Sequence, residues 1–556
     1  MANSESDSPG RSAGTFAALS EPTFRRIWSA SLFSNFGYLI LGVGAAWEMT
    51  KLTPDPSMVA LVQSALMLPM MLVALPAGAL ADMLDRRKIA LAGLSFAALS
   101  AAVLTAMAFG GMTTPWMLLG FCVLIGAGSA LFSPSWQASI GEQVSNEHLP
   151  GAVALGTISY NVARSFGPAL GGIIVLQFGA KAAFLITALF YLPLLTAFWF
   201  WERKHLPSRL PPERIDRAIV SGARYALHAA PVRAVLLRSF IYGLTIAPLS
   251  ALAPLIAKDH LKGDAGTYGL LLGAAGIGAV IGALQVSKLR DGLGAERSVR
   301  LLSVVTGSMM VVLAFTHLQP AVLLIMLVTG GSSTLVSSLL NVGIQLSAPR
   351  WVTARALSLY SSALTGGIAI GAWGWGSLVA PLGLEKVFLF AGATVMVTTL
   401  TGVIFPLPKG DAEGQDFARI PNDPEVRMEL SMRSGPVTVE VEYDVDPADA
   451  RDFYDAMRGV QKVRLRNGGY NWTISRDIAQ PNLWIERYHC PTWGDYLRMR
   501  SRYTEADSNA QEAANRFSRE RGEARVRRML MRPYGSVRWQ ANSPDPGPGA
   551  INYIGP

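Results

Sequence analysis

Residues 57–88 read SMVALVQSALMLPMMLVALPAGALADMLDRRK. The first two dozen are almost entirely apolar, which is the length that an α-helix needs to cross about 30 Å of hydrocarbon at about 1.5 Å per residue. The run then ends in a charged turn that contains two aspartates and three basic residues. A helix that crosses a bilayer and stops at a charged turn is the unit from which we infer the fold.

The composition places the chain among membrane proteins. Of its 556 residues, 51% are hydrophobic and only 16% are charged, against about 25% charged in an ordinary soluble domain, and mean hydropathy is +0.31. These values exclude a disordered, collagen-like or disulfide-stapled chain. Cys122 and Cys490 lie far apart in different settings, so we expect no disulfide. Six histidines supply little material for a metal centre, and we expect no metal and no cofactor.

Twelve apolar segments recur along the chain, six on each side of a basic linker. They predict an all-α membrane protein with two six-helix halves, 24–201 and 233–408, because only helices satisfy their own backbone in lipid. A tail (1–23) precedes them, and the linker, 202–232, is either an amphipathic surface helix or a solvated tether. The predicted spans are 27–48, 57–80, 89–110, 115–137, 152–176, 181–201, 235–257, 267–288, 299–317, 320–343, 354–379 and 384–405.

The basic residues predict the orientation. Of the net charge of +9, residues 421–556 carry 20 basic and 19 acidic side chains, or +1, so +8 belongs to the apolar part. There it lies in alternate short loops, as membrane topology requires, and nucleic-acid binding is disfavoured. We therefore expect a plasma-membrane (inner-membrane) protein with both termini in the cytoplasm. The polar, acidic first twenty residues predict no cleaved signal peptide.

The turn after the second segment carries a specific pattern, Gly78, Asp82, Asp85, Arg86 and Arg87. It resembles the loop signature of the major facilitator superfamily, Gly-x-x-x-Asp-x-x-x-Arg-Arg/Lys. The resemblance implies a cytoplasmic gate, in which the acid meets a helix of the other half in one state only. The alternative is an ordinary basic loop. The equivalent loop in the second half, 282–290, lacks the acid.

The fifth segment contains Gly167, Pro168, Gly171 and Gly172. This run resembles the G-P-x-x-G-G antiporter motif of the same superfamily, which implies an exporter in which these residues form a helix pivot. Pro168 removes a backbone hydrogen bond, and the glycines leave a smooth face for a neighbouring helix. The alternative is a packing kink with no directional meaning.

Two charged residues inside the apolar segments are candidates for handling substrate or protons. Arg164 either senses substrate charge, pairs with an acid or reaches the cytoplasmic interface. Glu48 is the best protonatable group, although an interfacial acid beside Trp47 is the blander interpretation. The arginine that proton-linked members carry in the fourth helix is replaced here by Cys122.

Over residues 15–410 the chain resembles the enterobactin-exporter branch of the superfamily, also called transmembrane secretion effectors. That resemblance implies export of a siderophore or an amphipathic drug by alternating access, with a small-molecule substrate, the lipid bilayer and protons as partners. A P-loop (G-x-x-x-x-G-K-[ST]) does not occur, which argues against a primary pump. An importer of the same fold is an alternative.

A polar region follows the membrane part. A linker (409–425) leads to a domain over 426–540 and a disordered Pro- and Gly-rich tail (541–556). The domain's pattern predicts strands at 437–443, 470–478, 482–488 and 526–531 and helices at 447–460 and 493–519, which is the βαββαβ order of a ferredoxin-like α+β fold.

This C-terminal domain resembles the dimeric α/β-barrel family that includes antibiotic-biosynthesis monooxygenases. The resemblance implies a dimerisation or regulatory module, with a membrane-tethered oxygenase as the alternative. Its only histidine, His489, is interpreted as structural because no second metal ligand accompanies it in the sequence. We expect a transporter rather than an enzyme.

Overall fold

The structure is a computed structural model. It describes residues 15–83, 85–145, 147–202, 224, 228–348, 352–407, 426–428, 430–501, 503–518 and 525–531. Most of the predicted linker 202–232, the linker 409–425 and the tail 541–556 lie outside these residues. The chain divides into a membrane unit (Met1–Ile219, Ala234–Ile344 and Leu357–Pro408) and a sheet unit (Val220–Arg233, Gln345–Ala356 and Lys409–Pro556).

The membrane unit is helical throughout its described part. A 3₁₀ turn, Thr15–Ser20, precedes the first helix. The helices are α1 (Pro22–Leu52), α2 (Pro56–Met83), α3 (Arg86–Phe109), α4 (Pro115–Gln143), α5 (Leu149–Trp199), α6 (Ala230–Ile246), α7 (Ala265–Ala283), α8 (Val286–Leu293), α9 (Ala295–Phe315), α10 (Gln319–Ser347), α11 (Thr353–Leu382) and α12 (Leu384–Val397). Within the described residues, eleven helical segments are long and apolar enough to cross a membrane.

Helix α5 is interrupted once. It contains 51 residues, which at about 1.5 Å per residue is more than twice the thickness of a hydrocarbon core. Gly179 has φ 79° and ψ 170°, a backbone conformation that is not helical and that favours glycine. The break falls between the predicted fifth and sixth spans, 152–176 and 181–201.

Short polar residues and prolines set several helix ends. Asp85 accepts a hydrogen bond from the Arg87 N–H and starts α3, while Thr114 and Asp264 cap α4 and α7 in the same way.

Two predicted spans need correction. The span 235–257 is a continuous helix only to Ile246, and then passes through Pro248–Ala251, Ala253–Leu255 and Ile256–His260, because Pro248 and Pro254 cannot donate the hydrogen bonds of one continuous helix.

The second correction concerns the span 267–288. Helix α7 ends at Ala283 and the separate amphipathic helix α8 follows, so residues 286–288 do not belong to the span. Helix α12 continues beyond Val397 as a 3₁₀ turn, Thr398–Leu400, and a last helical turn, Thr401–Ile404.

The sheet unit contains one antiparallel sheet of four strands in the order β2-β3-β1-β4. Its elements in chain order are β1 (Val437–Asp444), α13 (Ala450–Arg466), β2 (Tyr470–Arg476), β3 (Leu483–Cys490), α14 (Trp493–Ser501), α15 (Glu505–Asn515) and β4 (Arg525–Leu530). The register places Val437 opposite Cys490 of β3 and Leu530 of β4. Val439, Val441 and Tyr443 point from the central strand into a core that includes Phe453 and Met457.

The predicted helix over 493–519 is wrong, because two helices occupy that segment. Thr504 stops the chain from continuing as one helix. Its side chain accepts a hydrogen bond from the Asp507 N–H while the Asp507 carboxylate accepts one from the Thr504 N–H, which is a capping box that begins α15.

Candidate functional site

The N-terminal and C-terminal halves of the membrane unit meet along a stripe of small residues on α5 and α7. A Cβ atom placed on Gly172 would lie 2.2 Å from the Gly269 Cα atom, and one placed on Gly276 would lie 2.2 Å from the Ser165 carbonyl oxygen. Between these points Gly273 faces Ala169. The two backbones therefore touch over several turns, as small-residue stripes allow in membranes.

The other glycines of the predicted pivot face a different neighbour. Cβ atoms on Gly167 and Gly171 would lie 3.1 Å from the Cβ atoms of Leu39 and Val43 on α1. Pro168 lies inside α5. The motif thus divides its glycines between the helix next to it in its own half and the other half of the bundle.

A second pair of helices also joins the halves. The Ser64 hydroxyl on α2 donates a hydrogen bond of 2.6 Å to the Ala369 carbonyl on α11. Near it, a Cβ atom on Gly376 would lie 2.4 Å from the Ala60 Cβ atom. The halves therefore meet through α5–α7 and through α2–α11.

Further contacts between the halves lie where α1 ends and α7 begins. The Lys258 ammonium donates a hydrogen bond of 2.5 Å to the Thr50 carbonyl. The Trp47 ring stacks on Tyr268 with centroids 6.1 Å apart. This is the opposite end of the bundle from the turn between α2 and α3, which we call the basic end.

The two charged candidates, Glu48 and Arg164, lie at different heights along the helix bundle. Glu48 is half-buried beside the Trp47 contact, and in the described part of the chain no cation lies within salt-bridge distance of it. Arg164 is the sixteenth residue of α5, about 23 Å along the helix from Leu149, and it is the midpoint of the predicted span 152–176.

The charge of Arg164 reaches residues of the C-terminal half. Its side chain is exposed, and it lies close enough for its charge to act on the hydroxyls of Tyr242 on α6 and Tyr360 on α11. The Tyr360 hydroxyl itself donates to the Ser337 carbonyl at 2.7 Å. Among the described residues no acid forms an ion pair with Arg164. An exposed cation in the middle of a predicted span, without an acidic partner among the described residues, is suited to bind an anionic group.

At the basic end, the predicted gate residues make contacts within the N-terminal half. Arg86 pairs with Glu142 on α4 at 3.0 Å and donates to the Ala138 carbonyl at 2.7 Å. Arg87 donates to the carbonyl oxygens of Phe198, at 3.0 Å, and Trp199, at the end of α5. These contacts fasten α3 to α4 and α5.

The two other members of the predicted gate are Gly78 and Asp82. Both lie on α2, but their side-chain surroundings are outside the described part of the structure. A contact of Asp82 with the other half therefore stays a prediction.

The C-terminal half has a network at the same end that the sequence patterns did not indicate. Arg238 on α6 bonds to Glu296 at 2.6 Å and to the Phe405 carbonyl at 3.1 Å. Glu296 also accepts from Arg300 at 2.9 Å and from the Leu407 N–H at 3.0 Å. A lone arginine within the predicted seventh span and the Glu296–Arg300 spacing of four residues were the available signals.

The sheet unit buries an ionic network of its own. Glu486, fully buried, accepts hydrogen bonds from Arg464 at 2.9 Å, from Trp472 at 2.9 Å and from Tyr443 at 3.0 Å. Burial and the nearby Glu486 carboxylate raise the pKa of the Tyr443 hydroxyl, so the hydroxyl stays protonated and donates. His489 belongs to no group of three metal-ligating side chains in the described part of the chain.

Comparison with known proteins identifies the architecture. A family model described as "Transmembrane secretion effector" matches residues 13–534, and so includes the sheet unit's strands. The chain is 24% identical over 396 residues to the multidrug efflux pump Tap of Mycobacterium tuberculosis (strain ATCC 25618 / H37Rv), covering 68% of this chain and 92% of Tap.

Other relatives agree with this result. The staphyloferrin A transporter of Staphylococcus aureus (strain NCTC 8325 / PS 47) is 23% identical over 271 residues, which is 48% of this chain and 67% of that protein. Among solved structures, the nucleoside transporter NupG has a TM-score of 0.57 at 12% identity, covering 69% of this chain and 99% of its own. A POT family transporter bound to 5-aminolevulinic acid has a TM-score of 0.55 at 15% identity, covering 69% and 96%. At these identities the structures show the fold alone.

Proposed function

Because the chain belongs to the transmembrane secretion effector family of membrane transporters, we propose that it is a secondary active exporter of a small amphipathic molecule. The family and its relatives make the chain a multi-pass membrane transporter of the major facilitator type and not an enzyme. Export, the class of cargo and the driving ion are the parts that we propose.

Twelve crossings and a cytoplasmic basic end complete the proposed topology. The break at Gly179 divides α5 into two membrane-length pieces, which converts eleven long segments into twelve crossings. An even number of crossings places both ends of the membrane unit on one side. Arg86, Arg87, Arg238 and Arg300 cluster on that side, and the positive-inside rule makes it the cytoplasm.

The observation that carries the proposal is the position of the contacts between the halves. Gly172–Gly269, Lys258–Thr50 and Trp47–Tyr268 all lie towards the end opposite the cytoplasm. At the basic end, the described contacts between the halves are fewer, and Arg87 donates to the carbonyl end of α5 in its own half. This arrangement suits a carrier closed to the outside and ready to take cargo from the cytoplasm, the loading state of an exporter.

Arg164 supports a cargo that carries negative charge. The cation lies at the midpoint of the predicted span 152–176, its charge reaches Tyr242 and Tyr360 of the other half, and it has no acidic partner among the described residues. Binding an anionic group of an amphipathic siderophore or drug would offset the cost of holding this charge in the membrane. The staphyloferrin A transporter and the efflux pump Tap are named for cargoes of these two kinds.

Proton antiport is the proposed driving reaction, with Glu48 as the protonatable group. Glu48 is adjacent to Trp47, whose ring stacks on Tyr268 at the end of the bundle opposite the basic end, which we call the outer end. A change of charge on Glu48 can therefore affect the opening of the outer end. In the outward-open state Asp82, together with Arg86 and Arg87, would close the cytoplasmic end. The pivot at Gly172 would connect the two states.

For the sheet unit we propose a ferredoxin-like cytoplasmic module that supports dimerisation or regulation. The observed order strand, helix, strand, strand, two short helices and strand, with the sheet order β2-β3-β1-β4, supports this assignment. Light scattering of the purified full-length chain in detergent tests dimerisation, and a monomeric mass at micromolar protein would reject it.

Transport in vesicles tests the export proposal directly. Mass spectrometry of medium from cells with and without the protein first identifies the cargo. We expect that cargo to accumulate in inverted vesicles with an acidic lumen, and Glu48→Gln to weaken the dependence on the proton gradient. Accumulation in right-side-out vesicles instead would identify an importer.

We expect Arg164→Ala to raise the KM for an anionic cargo, Arg164→Lys to restore part of the affinity, and Arg297→Gln, at an exposed arginine of the basic end, to change nothing.

Cysteine labelling tests which end is open. The native cysteines are both buried, and burial raises the pKa of the Cys490 thiol to about 12, so the background reaction is slow. In inverted vesicles without cargo, Arg164→Cys should react with a membrane-impermeant maleimide. Protection there, with reaction in right-side-out vesicles, would contradict the proposed loading state.

A further inference from the structure

Three side chains far apart in the sequence converge at the outer end of the C-terminal half. His260 ends the π-helical turn after α6, His317 lies between α9 and α10, and Glu385 stands in the first turn of α12. One ligand atom from each of the three lies within 4.8 Å of the other two. The sequence predicts no metal centre, because six histidines and two cysteines supply little material for one.

We propose that His260, His317 and Glu385 form a binding site for a divalent transition-metal ion, with Zn²⁺ as the best match. Two imidazoles and one carboxylate are a ligand set that zinc uses in proteins, with water as the fourth ligand. The hard cations Mg²⁺ and Ca²⁺ prefer sets made of oxygen atoms alone. The inference does not depend on the cargo or on the direction of transport.

The hydrogen bond of His260 prepares that ring for a metal. Its Nε2 atom lies 2.8 Å from the Thr316 carbonyl oxygen, which can only accept, so Nε2 carries the proton. In the neutral ring Nδ1 then keeps a free lone pair. Metal-bound histidines typically donate their other N–H to a carbonyl or carboxylate in this way, which fixes the orientation of the ring.

The other two ligands are placed to close around an ion. The His260 and His317 rings lie with their centroids 4.2 Å apart, a spacing at which two protonated rings would repel each other. His317 Nε2 lies 3.8 Å from Glu385 Oε1. Ligands in a tetrahedral zinc site are about 3.3 Å apart, so small side-chain rotations suffice. The His317 and Glu385 side chains are 59% and 62% exposed and free to make them.

The surroundings of the cluster complete the site. A small cleft beside His260 and Glu385 is lined by apolar side chains, Ile256, Leu313, Ala314, Leu384 and Phe388. Because the ligands come from the segments that follow α6, α9 and the start of α12, a bound ion would fasten these three helices together.

Zinc titration of the purified full-length protein tests the proposal. The protein should carry an affinity tag without histidines, be stripped with a chelator and be kept in detergent micelles. We expect one Zn²⁺ per chain by calorimetry and a higher Tm with Zn²⁺ but not with Mg²⁺. The double variant His317→Ala/Glu385→Gln should weaken zinc affinity by about 100-fold. Loss of a single outer-shell partner already costs up to about that much, and this variant removes two direct ligands.

A matched control uses a second histidine–glutamate pair found among the described residues. His148 lies 3.6 Å from Glu21 at the basic end, without a second histidine in the pair, so His148→Ala/Glu21→Gln should leave zinc affinity unchanged. If His317→Ala/Glu385→Gln has a lower Tm than the parent in the absence of metal, the single variant Glu385→Gln is used in its place for the zinc titration. The proposal is overturned if the parent shows no saturable binding up to about 1 mM Zn²⁺, or if the variants at His317 and Glu385 bind zinc like the parent.

Discussion

The two halves of the membrane unit both fasten the carbonyl end of their last helix with an arginine, but they take that arginine from different helices. In the N-terminal half Arg87 at the start of α3 binds the carbonyl oxygens of Phe198 and Trp199. In the C-terminal half Arg238 within α6 binds the carbonyl oxygen of Phe405. The same requirement, satisfying orphan carbonyls at a helix end, is met by unrelated sequence positions.

The two networks also differ in burial. The Arg86 and Glu142 side chains are 25% and 15% exposed, whereas Arg238 is 3% exposed and its partner Glu296 24%. Glu296 serves two arginines and one backbone N–H, so it is the centre of its network. The comparison teaches that the half without the recognisable loop signature holds the more deeply buried arginine.

The largest effect should follow from Glu296→Gln. The variant leaves the buried Arg238 guanidinium without its counter-ion, at a cost of about 3 kcal/mol, the low end for a broken buried pair because Glu296 is partly exposed. Thermal unfolding in detergent should show the largest loss of Tm in this series. Arg238→Met/Glu296→Leu, which removes both charges, should recover part of the loss, and Arg297→Gln serves as the exposed control. A Glu296→Gln protein as stable as the parent would show that the ion pair of the C-terminal half contributes no more to stability than that of the N-terminal half.

Gly402→Ala should be the next most damaging change. A Cβ atom there would lie 1.8 Å from Glu296 Oε1, and the carboxylate cannot move freely because two arginines hold it. We expect a loss of about 2 kcal/mol from overpacking. Gly374→Ala is the control, since a Cβ atom at that position would meet nothing within 4 Å. Equal Tm values for the two variants would show that Glu296 can shift without cost.

Arg87→Gln tests the corresponding anchor of the N-terminal half. It removes the bonds from a charged donor to the carbonyl end of α5, which should cost about 1.5 kcal/mol. Arg87→Lys keeps the charge but loses the fork that reaches two carbonyls, so it should restore only part of the stability. A loss greater than that of Glu296→Gln, measured by the same unfolding assay, would reverse the order of the two halves.

Glu142→Gln should have the smallest effect. Arg86 keeps its bond to the Ala138 carbonyl and is partly exposed to solvent, so the loss should be no more than about 1 kcal/mol. High salt should screen this pair and reduce the difference from the parent, whereas the effect of Glu296→Gln should persist in salt. A salt-independent loss at Glu142 would mean that this pair is as shielded as the other.

Local sequence predicted the helical class of the membrane part. Apolar runs of about twenty residues predict spanning helices, because each helix closes its own hydrogen bonds and only its hydrophobic length must match the bilayer. The pattern from Gly78 to Lys88 and the run from Gly167 to Gly172 indicated the transporter family before any contact was known. The break at Gly179 falls between the predicted spans 152–176 and 181–201, whereas the interruptions at Pro248 and Thr504 depend on single residues and were not predicted.

Partners across helices could be decided only by the tertiary structure. Nothing near Gly172 in the chain indicates that it meets Gly269 while Gly171 meets Val43, because adjacent positions on a helix point in directions about 100° apart. Glu142 and Glu296 are ordinary acids at helix ends until packing brings Arg86 and Arg238 to them. His260, His317 and Glu385 likewise become one cluster only when three helix ends converge. Sequence thus determined what each helix is, and packing determined what each charged side chain meets.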